Sequence, residues 1–106
     1  MGLTDFQKKV FDAVKKIPKG QVTTYKKFAE NIGNKNSARA VGNALGKNKD
    51  FLKFPCHRVV KINGDIGGYA RGAKKKISLL KKERIEIKNG KVAKLKNHFF
   101  NLNIVL

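Results

Sequence analysis

Cysteine is scarce in this chain, which has 106 residues and one thiol, Cys56. A single cysteine cannot form an internal disulfide, and it cannot build a zinc site from several thiolates. No stretch of about 18 or more apolar residues is present, which excludes a transmembrane helix. Residues 1–14 carry charges throughout and lack the apolar core of a signal peptide, so the expected location is cytoplasmic.

Acidic residues are also few: the chain has 7 Asp and Glu but 25 Lys and Arg, which gives a formal net charge of +18. Such an excess repels itself in a compact state and is usually tolerated because a polyanion neutralises it. Nucleic acid is therefore the first partner to expect. The alternative is a generally lysine-rich protein whose charges are only solvated surface. A membrane surface fits less well, because the basic residues are interleaved with core-forming apolar ones.

The chain length limits the number of domains and the size of the core. A chain of 106 residues, 41% of them hydrophobic, is expected to form one domain over residues 1–106. At this size the core is thin and leaves little room for an enclosed cofactor pocket. We therefore expect a groove or shallow pocket and no cofactor.

Three helices are predicted in the first half of the chain. Thr4 and Gln7 fit a capping box, and apolar residues follow at helical spacing, which predicts a helix over residues 5–16. A second helix is predicted over 25–32, where Thr23 or Thr24 can act as the N-cap and Gly33 can end the helix in a left-handed conformation.

The third helix is predicted over residues 37–46, after a turn of cap-type residues. Its outward face carries Arg39, Gly42, Asn43 and Gly46 where a solvated helix usually carries Glu and Lys. Two glycines cost a helix about 1 kcal/mol each, so a close approach to another molecule is their natural reason. Two short helices joined by a tight turn on a basic chain indicate a helix-turn-helix.

The second half is predicted to mix extended and helical segments. Residues 54–62 should be partly extended, and a helix over 73–83 should turn Lys74, Lys75, Lys76, Lys81 and Lys82 mostly outward. Around Asn89-Gly90 an alternating pattern over 85–95 predicts a hairpin, a basic wing. The apolar tail 99–106 either packs back on the domain, which we favour, or is exposed and prone to association. The predicted fold class is mainly α with small β, a winged helix-turn-helix-like domain.

The lone cysteine has two interpretations. A buried cysteine is usually an inert small hydrophobe. Here, however, His57 and Arg58 follow directly and supply groups that can lower a thiol pKa. His57 could activate Cys56 only if the chain turns at this point, directly or through a water, because neighbours in a strand face opposite ways. Glu83 is a candidate to orient His57, and its alternative role is a surface ion pair of small value.

These residues together closely resemble a known family. The motif Pro55-Cys56-His57-Arg58-Val59 lies in a pattern whose other members are Arg39-Ala40-Val41-Gly42, Asn48, Gly68-Tyr69, Lys76, Leu79-Leu80 and Glu83. This pattern is similar to the C-terminal catalytic domain of the O6-alkylguanine-DNA alkyltransferases, the methylated-DNA-protein-cysteine methyltransferases. The resemblance runs from residue 4 to about residue 83 and leaves the hairpin and tail, 85–106, unmatched.

The resemblance implies a suicide repair reaction on double-stranded DNA. A helix-turn-helix would enter the minor groove as a monomer and flip the alkylated guanine, whose alkyl group Cys56 would accept permanently. The catalytic residues implied are Cys56 as nucleophile, His57 as base through a water, Glu83 to orient it, Tyr25 as donor to the guanine, Asn48 as hinge, and Lys76 in the supporting network. The DNA-binding residues implied are Arg39, which fills the gap left by the flipped base, with Ala38, Gly42, Thr24, Tyr69 and Arg58.

Individual residues keep simpler alternatives. Tyr25 could be an ordinary first-turn aromatic, Arg39 a phosphate clamp, and Tyr69 a core tyrosine. The N-terminal domain usual in the family, which has an RNase H-like fold and in some members a zinc site, is expected to be absent, so we expect no metal. Ala70 replaces a serine that many members carry, which leaves the range of accepted alkyl groups open.

Two other functions compete with repair. Alkyltransferase-like proteins of similar length bind alkylguanine DNA and flag it for another pathway, but they carry tryptophan where this chain has Cys56. A small winged-helix regulator is the other alternative. It would need polar side chains that read base edges on the third helix, where Ala38, Ala40, Gly42 and Gly46 offer few.

Overall fold

The computed structural model describes residues 4–33 and 38–100. These contain five α-helices, a 3₁₀ turn over Cys56–Arg58 and four short strands. The helices are α1 (Asp5–Val14), α2 (Tyr25–Asn31), α3 (Ala38–Leu45), α4 (Ala73–Lys82) and α5 (Leu95–His98), and the strands are β1 (Thr23–Thr24), β2 (Val59–Val60), β3 (Ile87–Lys88) and β4 (Lys91–Val92). The fold is mainly α with small β sheets, as predicted. Within the described ranges, every helix is too short or too polar to cross a membrane.

Helix α1 begins at the predicted capping box. The Thr4 hydroxyl accepts from the backbone N–H of Gln7 at 3.1 Å, and the Gln7 amide oxygen accepts from the backbone N–H of Thr4 at 3.0 Å. The helix ends at Val14, earlier than the predicted residue 16. Its apolar face, which includes Val10 and Phe11, lies in the larger of two core clusters.

Helices α2 and α3 form the predicted helix-turn-helix pair and pack against one another. Thr24, and not Thr23, is the N-cap of α2: its hydroxyl accepts from the backbone N–H of Lys27 at 3.1 Å. Gly33 follows with φ +86°, the left-handed conformation expected after a helix end. The predicted turn and the start of the third helix at residue 37 lie outside the described residues.

A two-stranded parallel sheet joins the two halves of the chain. Thr23 of β1 pairs with Val59 of β2, and Thr24 pairs with Val60. All four residues are buried. This sheet was not predicted from the sequence, because two-residue strands are too short for periodicity to reveal them. The sheet holds the start of α2 beside the Cys56–Arg58 turn.

The predicted hairpin is present at the other core cluster. Ile87 pairs with Val92 and Lys88 with Lys91, in antiparallel register. Asn89 and Gly90 both have positive φ, +54° and +74°, as a type I′ turn requires.

The chain after the hairpin returns to the centre of the molecule. The backbone N–H of Val22 donates to the His98 carbonyl at 2.8 Å, and the N–H of Phe100 donates to the Val22 carbonyl at 2.7 Å. Phe100 packs on the larger core cluster, so the predicted packing of the tail is confirmed there. The rest of the tail, 101–106, lies outside the described residues.

Candidate active site

Cys56 lies on the 3₁₀ turn that the sequence analysis required for cooperation with His57. The Cys56 N–H donates to the Phe54 carbonyl at 2.8 Å, and the Arg58 N–H donates to the Pro55 carbonyl at 3.0 Å. Cys56 is only 4% exposed, yet it lines an open cleft of about 750 Å³. The thiol therefore lies at the inner wall of a space large enough to receive a small organic group.

Asn48 positions the thiol. Its amide nitrogen donates both to Cys56 Sγ at 3.2 Å and to the Phe54 carbonyl at 2.9 Å, while its oxygen accepts from the Asp50 N–H at 2.9 Å. The pKa of Cys56 is raised by burial, and the Asn48 hydrogen bond and the Lys76 charge oppose this rise. The expectation that His57 and Arg58 lower the pKa of the Cys56 thiol is therefore wrong. Asn48 and Lys76 are the side chains that lower this pKa, and burial raises it by more.

His57 and Glu83 form a buried pair. His57 Nε2 lies 2.7 Å from Glu83 Oε2, and the two side chains are 7% and 8% exposed. The alternative of a surface ion pair for Glu83 is thus wrong. Burial lowers the pKa of His57 and Glu83 opposes the shift, so the ring is mainly neutral at pH 7. A neutral imidazole is able to act as a base.

The Glu83 carboxylate also accepts hydrogen bonds from three further N–H groups. Arg58 donates from Nε at 3.0 Å and from Nη2 at 2.9 Å, and the backbone N–H of Gly20 donates at 3.1 Å. These donors keep the Glu83 pKa low despite burial. Glu83 is the C-cap of α4, so this carboxylate connects that helix to the turn that carries Cys56.

Two residues predicted to contact DNA have other partners here. Arg58 also donates from Nη1 to the Ile17 carbonyl at 2.8 Å, and its side chain is 16% exposed. Thr24 is 4% exposed, and its hydroxyl is occupied as the cap of α2. The polar groups of both side chains are thus bonded inside the protein, and their contact with DNA stays a prediction.

Lys76 is buried, which corrects the prediction that it turns outward with the other lysines of α4. It is 0% exposed. Its Nζ donates to the carbonyls of Val59 at 2.7 Å and Gly68 at 3.0 Å, and to the Tyr25 hydroxyl at 3.3 Å. Burial lowers the pKa of Lys76 to about 7. The side chain ties β2, α2 and the glycine loop together beneath the cleft.

The buried amine predicts a pH dependence of stability. The folded-state pKa of Lys76 is about 7 against an ordinary value of 10.5, so between these values the unfolded chain binds the extra proton. Raising the pH through this window therefore favours the folded state. The free energy of unfolding of the wild type, minus that of Lys76→Met, should rise from pH 7 to pH 9 in urea titrations. A difference independent of pH would contradict the assignment.

Tyr25 lines the same cleft as the Cys56 thiol. Its hydroxyl donates to the Gly68 carbonyl at 3.3 Å and accepts from Lys76, and burial raises its pKa to about 12. The ring fits closely beneath the glycine loop: a Cβ added at Gly67, where φ is +74°, would lie 2.9 Å from Tyr25 Cε2. Tyr25 is therefore held in one position and is not an ordinary first-turn aromatic.

The other predicted DNA-contacting residues line the same cleft: Arg39, Ala38, Gly42 and Tyr69. Arg39 is exposed on α3. Tyr69 meets Phe51 edge-on, with ring centroids 5.7 Å apart, and lies 6.5 Å from the His57 ring. Three further lining residues, Lys26, Lys61 and Ile62, were not predicted from the sequence. No motif distinguishes them, because only the β1–β2 pairing brings their segments together.

The comparisons with known proteins agree on one family. Residues 5–85 match the model of the 6-O-methylguanine DNA methyltransferase DNA-binding domain. The chain belongs to the 6-O-methylguanine DNA methyltransferase family. The resemblance found in the sequence is thus confirmed. Its restriction to a C-terminal catalytic domain is corrected, since the matching model is described as the DNA-binding domain.

Relatives in this methyltransferase family cover the matched region with high identity. A methylated-DNA–protein-cysteine methyltransferase of Saccharolobus islandicus is 52% identical over 82 residues, which are 77% of this chain and 52% of that protein. The chain spans about half the length of the curated relatives it matches.

Two solved structures resemble this methyltransferase-family chain. S. pombe Atl1, crystallised with damaged DNA containing O6-carboxymethylguanine, superposes with a TM-score of 0.82 at 31% identity and covers 94% of this chain and 98% of that one. Mycobacterium tuberculosis OGT in complex with DNA gives a TM-score of 0.75 at 41% identity, over 78% of this chain and 51% of that one. Because the Atl1 superposition covers nearly the whole chain, it includes most of the segment after residue 85.

Proposed function

We propose that this protein repairs O6-alkylguanine in double-stranded DNA by moving the alkyl group to its own Cys56. The observation that carries the proposal is the Cys56 thiol at the inner wall of the cleft, with the buried His57–Glu83 pair beside it on the same turn and helix end. A sulfur–carbon bond forms to the alkyl group and the carbon–O6 bond breaks. The electron pair leaves with the guanine, which takes up a proton, while the thiol loses one.

His57 removes the thiol proton. Because burial raises the pKa of Cys56, the thiol is protonated at rest and needs a base. Nε2 of His57 is bonded to Glu83, which leaves Nδ1 for a water between the ring and Sγ. Glu83 stabilises the imidazolium that forms, because it is a carboxylate with a low pKa at hydrogen-bond distance.

Tyr25, Asn48 and Lys76 support the transfer. The Tyr25 hydroxyl gives up its bond to the Gly68 carbonyl and donates to the guanine as charge builds on the leaving base, while Lys76 still donates to the hydroxyl oxygen. The Asn48 amide holds the Cys56 sulfur in place through its hydrogen bond. None of these groups requires a metal or another cofactor for the displacement.

Helix α3 presents the DNA-binding face. Arg39, Ala38 and Gly42 line the cleft on one side and Tyr69 on the other, so a base that enters passes between them. The helix carries small residues and an arginine, which suits close approach to the minor groove and insertion of Arg39 into the base stack. One copy of the chain supplies every residue of this surface, so we propose that the protein binds DNA as a monomer and as one domain.

The proposal is tested by the mass of the intact protein. After incubation with a duplex that contains one O6-methylguanine, each molecule should gain the mass of one methyl group. Peptide mapping should place that group on the segment with Cys56. An unchanged mass despite tight and damage-selective binding would contradict alkyl transfer and favour a recognition protein.

Arg39→Ala tests the flipping step. Extrusion of a base costs a few kcal/mol, and an inserted arginine recovers part of that cost by stacking and phosphate attraction. Alkyl transfer from duplex DNA should slow by about tenfold or more, as a loss of about 1.4 kcal/mol implies. Transfer from the free alkylated base should change little.

Lys9→Ala is the matched control for Arg39→Ala, because it also removes one positive charge, but Lys9 is exposed on α1 and does not line the cleft. It should leave both rates near the wild-type values. Equal slowing of the duplex and free-base reactions by Arg39→Ala would mean that Arg39 has a structural role.

A second candidate function is damage recognition without repair. The S. pombe Atl1 likeness favours it, since that protein superposes over nearly its whole length and its crystals contain alkylated DNA. Cys56 favours repair, because a thiol at this position supplies the nucleophile. The mass measurement separates the two.

A further inference from the structure

A second cleft, of about 490 Å³, adjoins the candidate active-site cleft. Lys26 and Ile62 line both clefts and so form their common boundary. The far wall of the second cleft consists of Leu95 and Lys96 of α5 together with Phe99. These three residues follow the end of the family match at residue 85, so the family model does not describe this wall.

The second cleft combines a basic rim with apolar surface. Ile62 is 63% exposed and Phe99 is 36% exposed. Lys26 and Lys96 are exposed, and neither pairs with an acidic residue within the ranges 4–33 and 38–100. One acidic side chain, Glu30, lines the cleft and lies 4.0 Å from Lys27. Ammonium groups beside an aromatic ring suit a nucleic-acid strand, because phosphates bind the former and sugars or bases pack on the latter.

The wall is firmly attached to the rest of the molecule. The paired backbone hydrogen bonds of Val22 with His98 and Phe100 join it to the residue before β1. Strand β1 leads directly into α2, which supplies Lys26. The backbone segments that carry Lys26 and Lys96 are therefore joined through the residue before β1.

We propose that the second cleft binds the DNA strand that leads away from the candidate active-site cleft. Lys26 and Lys96 contact successive phosphates of this strand, and Phe99 with Ile62 packs against a sugar or base. The inference rests on the proposed function, since it extends the DNA surface of the same site. It assigns the segment after residue 85 a role in holding DNA next to the damaged nucleotide.

Lys96→Glu tests the phosphate contact, with Lys9→Glu as the matched control. Lys9 is exposed on α1 and lines neither cleft, so both variants change the net charge equally. Affinity for a duplex with one O6-methylguanine is measured by fluorescence anisotropy at several salt concentrations. Lys96→Glu should weaken binding about tenfold more than the control, and its log–log salt slope should be smaller by about 0.9. Equal weakening in the two variants would overturn the proposal.

Phe99→Ala tests the apolar part. Loss of one stacking contact should weaken binding about fivefold or more without changing the salt slope. Circular dichroism checks that the variant is folded, and Phe99→Tyr, which keeps the ring, should bind as the wild type does. Wild-type affinity should also rise when the duplex is lengthened on one side of the lesion, and this gain should be lost in Lys96→Glu. No gain on either side would overturn the proposal.

Two further outcomes have distinct meanings. If the wild type neither binds the duplex nor gains a methyl group, the proposed function fails and this inference with it. If the wild type does both while Lys96→Glu behaves as Lys9→Glu does, only the second cleft is wrong. Self-association of the wild type that Ile62→Ser abolishes, at unchanged DNA affinity, would instead identify the cleft as an interface between copies of the chain.

Discussion

The Cys56→Ser variant is expected to gain no methyl group from a duplex that contains O6-methylguanine, while it binds that duplex nearly as tightly as the wild type. A hydroxyl is far less acidic and less nucleophilic than a thiol, so the neutral His57 cannot activate it to the same extent. The serine hydroxyl keeps the position at which Asn48 donates its hydrogen bond. Intact-protein mass spectrometry and fluorescence anisotropy measure the two properties on the same samples.

A relocated thiol is the matched control for this result. Ser78 is exposed on α4, so Ser78→Cys in the Cys56→Ser background restores one cysteine outside the cleft. This double variant should also gain no methyl group, because proximity to the flipped base supplies most of the rate. Methylation of the relocated thiol at the wild-type rate would show that the cleft does not direct the reaction.

Glu83→Ala is expected to lower the free energy of unfolding by about 3–5 kcal/mol, the usual cost of removing one partner from a buried charge pair. The carboxylate accepts from Arg58, from the Gly20 N–H and from His57, and its side chain is 8% exposed. The substitution leaves the Arg58 charge with the Ile17 carbonyl as its remaining partner. Urea denaturation followed by circular dichroism measures the change.

Glu86→Ala is the control for that loss. Glu86 lies 3.4 Å from Lys88, but their side chains are 48% and 74% exposed, so its removal should cost only about 0–1 kcal/mol. Equal losses in the two variants would contradict the role assigned to Glu83.

The milder Glu83→Gln keeps the shape of the side chain but not its charge. It should slow alkyl transfer at nearly unchanged DNA affinity, and an unaltered rate would remove Glu83 from the mechanism.

Local patterns in the sequence determined the elements that form from near neighbours. The capping box of Thr4 and Gln7 and the turn at Asn89-Gly90 are each contained in a few consecutive residues, so the sequence is sufficient to predict them. A threonine N-cap before α2 was predicted in the same way, but the choice between Thr23 and Thr24 was left to the structure. The same holds for the motif around Cys56, whose resemblance to the methyltransferase family the comparisons confirmed. Short-range hydrogen bonding and residue type decide these features.

Only the tertiary structure decided which polar side chains face inward and which groups they hydrogen-bond. Lys76 belongs to a run of lysines, yet the carbonyls of Val59 and Gly68 receive its amine inside the protein. Arg58 was expected to contact DNA, but in the structure it donates to Glu83, because a buried carboxylate needs charged donors. These partners lie far apart along the chain, and the β1–β2 pairing that joins them is too short to leave a periodic signal. Composition and motif therefore determined the family and the candidate nucleophile, whereas long-range packing determined the charges around the thiol and the cleft it faces.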